Sequence, residues 1–101
     1  MRIIVMYDIS MDDDNIAYYN KFRNELIKLG YSMIQYSIYV KCISAHTQYP
    51  YEKDKLMKIV PKKSNVRILL VTESQYQNIE IISGEKSLNE YYLDKKIYLE
   101  V

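Results

Sequence analysis

The sequence contains no tryptophan, one phenylalanine, two glycines, two prolines, one cysteine and one histidine. Each scarcity excludes something. A single cysteine, Cys42, forbids an internal disulfide and with it a secreted, disulfide-stapled scaffold. Cys42 lies between Val40-Lys41 and Ile43 at a strand end, where a buried thiol is the plain reading. The lone His46 sits in a loop and leaves that thiol without a well-matched base. Two glycines, Gly30 and Gly84, are too few for a glycine-rich phosphate loop, and no CxxC pair, HExxH motif or nucleophile elbow is present. Metal-assisted hydrolysis, or no catalysis, is what remains. No apolar run approaches the roughly 20 residues that cross a bilayer. Asp8 interrupts the first apolar run too early for a signal peptide, so the expectation is a cytoplasmic chain with no membrane partner.

What is present fits one small domain, residues 1–101, with 49% hydrophobic residues to fill its core. Net charge is +1, so the molecule as a whole does not advertise a polyanion as partner. The charge is unevenly placed, however. Lys53, Lys55, Lys58, Lys62, Lys63 and Arg67 fall in one stretch opposed only by Asp54. Twelve tyrosines could stack on bases. Abundant Ile, Lys and Asn beside scarce Ala and Gly points instead to an AT-rich coding sequence, which explains the tyrosines more simply.

Periodicity organises the chain. Residues 2–9 read as a strand, with Ile3, Val5 and Tyr7 on one face and Ile4, Met6 and Asp8 on the other. Asp12-Asp13-Asp14-Asn15 offers caps for a helix whose stripe is Ile16, Tyr19, Phe22, Leu26 and Leu29, with Gly30 as its stop. Residues 31–43 are strand-like throughout. Extended, they would reach about 43 Å, too long for one strand here, so a break is predicted near Gln35–Ser37. A second helix is expected over 49–60, ended by Pro61, with Lys55, Lys58 and Lys62 as a basic stripe. Strands are predicted at 66–73 (apolar enough to be central), at 79–82, and at the end, where Ile97, Leu99 and Val101 alternate with polar residues. Interleaved helices and strands give an α+β fold, a ferredoxin-like βαββαβ sandwich with an extra C-terminal strand. Residues 88–101 are expected to carry that strand across to a dimer partner, since an unpaired edge invites pairing.

Asp8 is the sharpest chemical position. It closes an apolar strand where a loop begins, and it is either a surface turn acid or a hard oxygen ligand for Mg²⁺. Two copies across a two-fold axis would supply two carboxylates. Asp8, Ser10 and Asp12 imitate the opening of a calcium loop, but Asp13 and Tyr19 stand where that loop needs Gly and Glu.

Four segments together resemble a known family. They are Arg2-Ile3-Ile4-Val5-Met6-Tyr7-Asp8-Ile9, the stretch from Tyr19 to Gly30, Gln35-Tyr36-Ser37-Ile38-Tyr39, and Asn65 to Glu73 running on to Ile81-Ile82-Ser83-Gly84-Glu85-Lys86. The chain resembles CRISPR-associated protein 2 in the form found with type II systems. The resemblance implies a ferredoxin-like homodimer and a Mg²⁺-dependent endonuclease acting on single-stranded RNA or double-stranded DNA. Asp8 of each protomer would be both metal ligand and catalytic residue. It further implies partnership with the CRISPR integrase, CRISPR-associated protein 1, in spacer acquisition, where the dimer serves as a DNA-binding scaffold. Relatives often carry arginines soon after the aspartate; Ser10-Met11-Asp12-Asp13-Asp14 is acidic instead. Lys55, Lys58, Lys62, Lys63 and Arg67 are the candidate nucleic-acid contacts. A stand-alone, toxin-like endoribonuclease of the same fold is the alternative. A ligand-binding regulatory module is disfavoured by the missing glycine-rich turns.

Overall fold

A computed structural model describes residues 1–9 and 16–100, except for the side chains of 96–100. In chain order the elements are β1 (Arg2–Ile9), α1 (Ile16–Lys28), β2 (Ser32–Gln35), β3 (Ile38–Cys42), a 3₁₀ turn (His46–Gln48), α2 (Tyr49–Met57), β4 (Ser64–Val71), α3 (Glu73–Gln77) and α4 (Leu88–Glu100). The strands form one antiparallel sheet in the order β2-β3-β1-β4. That is the expected α+β, ferredoxin-like arrangement.

Strand alternation assigns the two faces of the sheet. Ile3, Val5, Tyr7 and Ile9 of β1 meet Tyr19, Phe22 and Leu26 of α1, Tyr39 of β3 and Leu56 of α2 in the larger core. The rings of Tyr7 and Phe22 meet edge-on at 4.9 Å, and Tyr7 stacks on Tyr39 at 5.9 Å. Burial pushes the Tyr7 phenol well above its usual range, so it stays neutral. The helix stops where Gly30 takes φ +94°, with Tyr31 N donating to Leu26 O at 3.0 Å. Lys41 Nζ then donates to Leu29 O at 2.7 Å and pairs with Glu52 at 2.9 Å, tying the end of α1 to α2. Asp12, Asp13, Asp14 and Asn15, expected as helix caps, lie outside the described residues.

The opposite face carries a smaller cluster of Ile4, Val40 and Tyr76, joined by Met6, Ile34, Ile38, Val71 and Leu93. Its cover, α3 and α4, is fastened by charge. Arg2 is fully buried; its guanidinium donates to Glu73 (Nε–Oε2 2.9 Å) and Asp94 (2.7 Å) and lies 3.9 Å over the Tyr76 ring. Lys86 also pairs with Asp94, and Tyr76 donates to Glu90 at 2.7 Å.

Three expectations are corrected by this architecture. First, β4 is an edge strand rather than a central one. Its apolar run faces two ways, with Val66, Ile68 and Leu70 packing on the larger core while Leu69 is half exposed. Second, no strand forms at 79–82. Thr72 and Gln75 exchange hydrogen bonds in a capping box that turns the chain into α3, and Ile82 ends up 96% exposed. Third, residues 88–100 form a helix, not a strand crossing to a partner; Val101 lies outside the described residues. A second box starts it: Glu90 N donates to Ser87 Oγ and Ser87 N to Glu90 Oε1, both at 3.3 Å. Alternation over three apolar residues is a weaker signal than the S/T-x-x-E/Q pattern that starts the helix at Ser87. Helix α2 also stops three residues short of the predicted boundary. The break in 31–43 falls where expected, with Ser37 held at φ +62°.

Candidate nucleic-acid and metal site at the open end of the sheet

Register places the site. Along β1, Arg2, Ile4, Met6 and Asp8 share the second face. Their partners on β4 are Val71, Leu69, Arg67 and Asn65 in that order. Residues directly opposite in an antiparallel pair point the same way. The clasp around Arg2 closes one end of this face, and Asp8 stands exposed at the other. Beside it are Asn65, directly opposite, and Arg67, one diagonal step away at a typical Cα separation of about 7–8 Å. Among the described residues Arg67 pairs with no acid. The third neighbour comes from the β2–β3 turn. Tyr7 N donates to Ser37 O at 3.1 Å, so Ser37 sits against the strand one residue before Asp8. A serine held in the left-handed region is strained, and such strain gathers where a surface has a task.

This end of the face combines a carboxylate, a guanidinium and an amide with an apolar flank from Met6 and Leu69. An exposed carboxylate can hold a hard cation, and an unpaired guanidinium can hold a phosphate in a bidentate fork. One chain is not a complete cation site. Among the described residues no three His, Cys, Asp or Glu side chains gather to hold a metal. Mg²⁺ commonly takes one or two carboxylates and fills its other positions with water and phosphate. A second Asp8 from another copy would therefore complete a plausible donor set.

The sequence-derived basic set divides among three places. Arg67 joins Asp8. Lys58, Lys62 and Lys63 line a cleft beside α1, on the face of the sheet covered by α1 and α2. Lys55 lies on α2, 3.7 Å from Glu52, so it belongs to a local ion-pair group rather than to a continuous stripe. His46 is exposed in the 3₁₀ turn, and Cys42 is half-buried, its thiol pushed up chiefly by burial. Cys42 pairs with Arg2, at the far end of β1 from Asp8. Sequence reasoning passed over Asn65 and Ser37. The signal for Asn65 was available in the pairing of the first and last strands; that for Ser37 was not, because its backbone strain is invisible in residue type.

Comparison with known proteins supplies the context. A family model described as "CRISPR associated protein Cas2" matches residues 1–79. The CRISPR-associated endoribonuclease Cas2 of Campylobacter jejuni is 37% identical over 93 residues, covering 89% of this chain; the chain spans only 64% of that relative's length. The protein of the same name from Treponema denticola is 35% identical over 98 residues, covering 96% of this chain and 97% of the other. The crystal structure of Streptococcus pyogenes Cas2 superposes with a TM-score of 0.61 at 18% identity, covering 82% of this chain and all of that one, which supports the fold. No helix among the described residues is long and apolar enough to cross a membrane. With a family match over most of its length and relatives above 30% identity along nearly all of it, this chain belongs to the CRISPR-associated protein Cas2 family.

Proposed function

We propose that the chain is the dimeric subunit of a CRISPR spacer-acquisition complex, acting in the cytoplasm beside the integrase CRISPR-associated protein 1. In this reading it also carries a Mg²⁺-dependent endonuclease activity on RNA or DNA. One observation carries the reading: the exposed Asp8 shares the open end of its sheet face with Asn65 and with Arg67, which pairs with no acid among the described residues. An open apolar flank invites a second copy, and a two-fold axis near Asp8 would bring two carboxylates together. Asp8 of each protomer then binds the cation, and Arg67 binds a backbone phosphate and fixes the register of the strand. When bound, Mg²⁺ supplies Lewis acidity and an activated water. The Campylobacter jejuni and Treponema denticola relatives are named endoribonucleases, which makes RNA the first substrate to test.

The dimer no longer needs the C-terminal strand. Its support is the half-exposed Leu69 on the open face, together with exposed Ile79, Ile81 and Ile82 in the segment after α3. Such a run of apolar side chains in water is a liability unless something covers it.

The test pairs two assays on the Asp8→Asn variant. Metal-dependent cleavage of single-stranded RNA should fall by at least about a hundredfold, as expected when a metal ligand is lost. Spacer integration with the integrase should persist, because there the dimer acts as a platform. Cleavage undiminished in Asp8→Asn would remove Asp8 from the catalytic role. A purified chain that cleaves RNA yet neither binds the integrase nor affects integration would favour the toxin-like alternative.

A further inference from the structure

A second surface lies on the opposite side of the sheet from Asp8. Along α1, Tyr18, Lys21, Phe22 and Glu25 recur at three- and four-residue spacing and form one flank of a cleft. The other flank is the segment that leaves α2. The helix ends at Met57, Pro61 blocks its continuation, and Ser64 Oγ donates to Pro61 O at 2.6 Å, fixing the turn into β4. This return draws Lys58, Lys62 and Lys63 alongside α1. The cleft, open to solvent, offers about 860 Å³.

The lining has two halves of different chemistry. Lys21, Lys58, Lys62 and Lys63 are all exposed, and among the described residues none makes an ion pair. The one acid among the lining residues, Glu25, is already engaged by Lys28 at 3.5 Å. Four ammonium groups held around one cleft repel one another, and an anion relieves that repulsion. The floor is apolar, built from Phe22, Ile59 and Pro61, and Tyr18 stands over half exposed at its edge. A ring and an apolar floor have no use for a simple inorganic anion. They suit a planar base.

We infer that this cleft holds single-stranded nucleic acid, with a base against Tyr18 and the apolar floor and the flanking phosphates on Lys58, Lys62 and Lys63. The inference rests on the nucleic-acid reading above and extends it to a site remote from Asp8. Size separates single strand from duplex. Pockets of roughly 300–1,000 Å³ take ligands of nucleotide size, and a duplex cannot enter one. Stacking separates nucleic acid from an acidic peptide, which would satisfy the lysines but leave Tyr18 and the floor unused. The cleft binds strand and cuts nothing; a strand leaving the Asp8 surface, or the free end of a partly duplex DNA, is what it would retain.

The test is fluorescence anisotropy of a labelled oligothymidylate with the full chain in EDTA, where cleavage cannot intervene. Lys62→Glu/Lys63→Glu should weaken binding by about tenfold or more and lower the salt-dependence slope by about 1.4. The charge-matched Lys53→Glu/Lys95→Glu variant, altered outside the cleft, should change affinity by less than about threefold. Tyr18→Ala should weaken binding by about fivefold or more with an unchanged salt slope, the mark of lost stacking. Equal losses in the two double variants would overturn the inference, leaving only general electrostatic attraction. So would displacement of the oligonucleotide by polyglutamate at similar concentration, which would assign the cleft to an acidic peptide. Circular dichroism verifies that these surface variants fold. Binding in EDTA reads the cleft variants, and metal-dependent cleavage reads Asp8→Asn. A failure at the cleft therefore leaves the Asp8 reading standing, and a failure at Asp8 leaves the cleft standing.

Discussion

The two faces of the sheet are built by different means. The face under α1 and α2 is closed by rings and aliphatics: Phe22, Leu26, Tyr39 and Leu56 are all 2% exposed or less. The face under α3 and α4 has three fully committed core residues and is held by an arginine and two carboxylates. It also closes over only one of its ends. Non-directional apolar packing supplies stability wherever surface is removed from water, whereas a charged clasp fixes one orientation and leaves the remainder of the face available. The difference teaches where to look for work in this molecule. The first face makes the fold, and the second, at its Asp8 end, is the part that the proposed assembly and chemistry would use.

Substitutions can strain that contrast, beginning with the largest effect. Phe22→Ala removes a fully buried ring from the first face and should cost about 3–5 kcal/mol in urea unfolding. Leu93→Ala on the second face, where the side chain is half-buried, should cost only about 1 kcal/mol. Near-equal costs would break the comparison.

Arg2→Ala should come next, at about 3 kcal/mol, because it strips the shared partner from Glu73 and Asp94. It should also release α4 selectively. Hydrogen exchange is the readout: amides of 88–95 should lose protection while those of α1 keep theirs. Smaller again, Ser87→Ala removes one half of the α4 capping box and should cost about 1 kcal/mol.

Acid should act on the second face. The Arg2 guanidinium holds the Glu73 carboxyl below its usual range. Burial pulls Asp94 upward, but hydrogen bonds from Lys86 and Arg2 outweigh it, and the net direction is down. Carboxylates with depressed folded pKa values contribute stability that is complete above their unfolded values, about 4, and is lost as pH falls through the folded ones. Thermal stability should therefore change little between pH 7 and 5 on this account and drop below about pH 4. The Glu73→Gln/Asp94→Asn variant should start lower and lose less over that acid range. An identical acid loss in the variant would mean that the clasp does not titrate as described.

The same contrast explains what was legible in the sequence. The first face was readable because burial there follows strict periods: alternation in Ile3, Val5 and Tyr7, and helical spacing in Tyr19, Phe22 and Leu26. The second face was not, since its cover is specified by single polar residues. Arg2 reads as an ordinary N-terminal cation, and nothing near it in sequence announces Glu73 or Asp94. The two capping boxes, Thr72 with Gln75 and Ser87 with Glu90, were legible in principle, but alternating apolar residues in 79–82 and 97–101 drew the reading toward strands. Asp8 stood out because an acid ends an apolar strand. Its neighbours Asn65 and Arg67 required the β1–β4 register, a long-range property. The lysines were visible as a cluster, while their division between α2 and the cleft depended on where Pro61 turns the chain.

The central claim is that the open end of the second face meets another copy of the chain and thereby pairs Asp8. Sedimentation equilibrium of the Leu69→Lys variant tests it most directly. Leu69 is half exposed beside Ile4 on that face, so lysine there should leave the fold intact. The control is Ile27→Lys, equally exposed but on α1. The expected masses are a dimer for the unaltered chain and for Ile27→Lys, and a monomer for Leu69→Lys. A Leu69→Lys chain that still sediments as a dimer would contradict the account, because the surface carrying Asp8 would then not be the one that joins two copies.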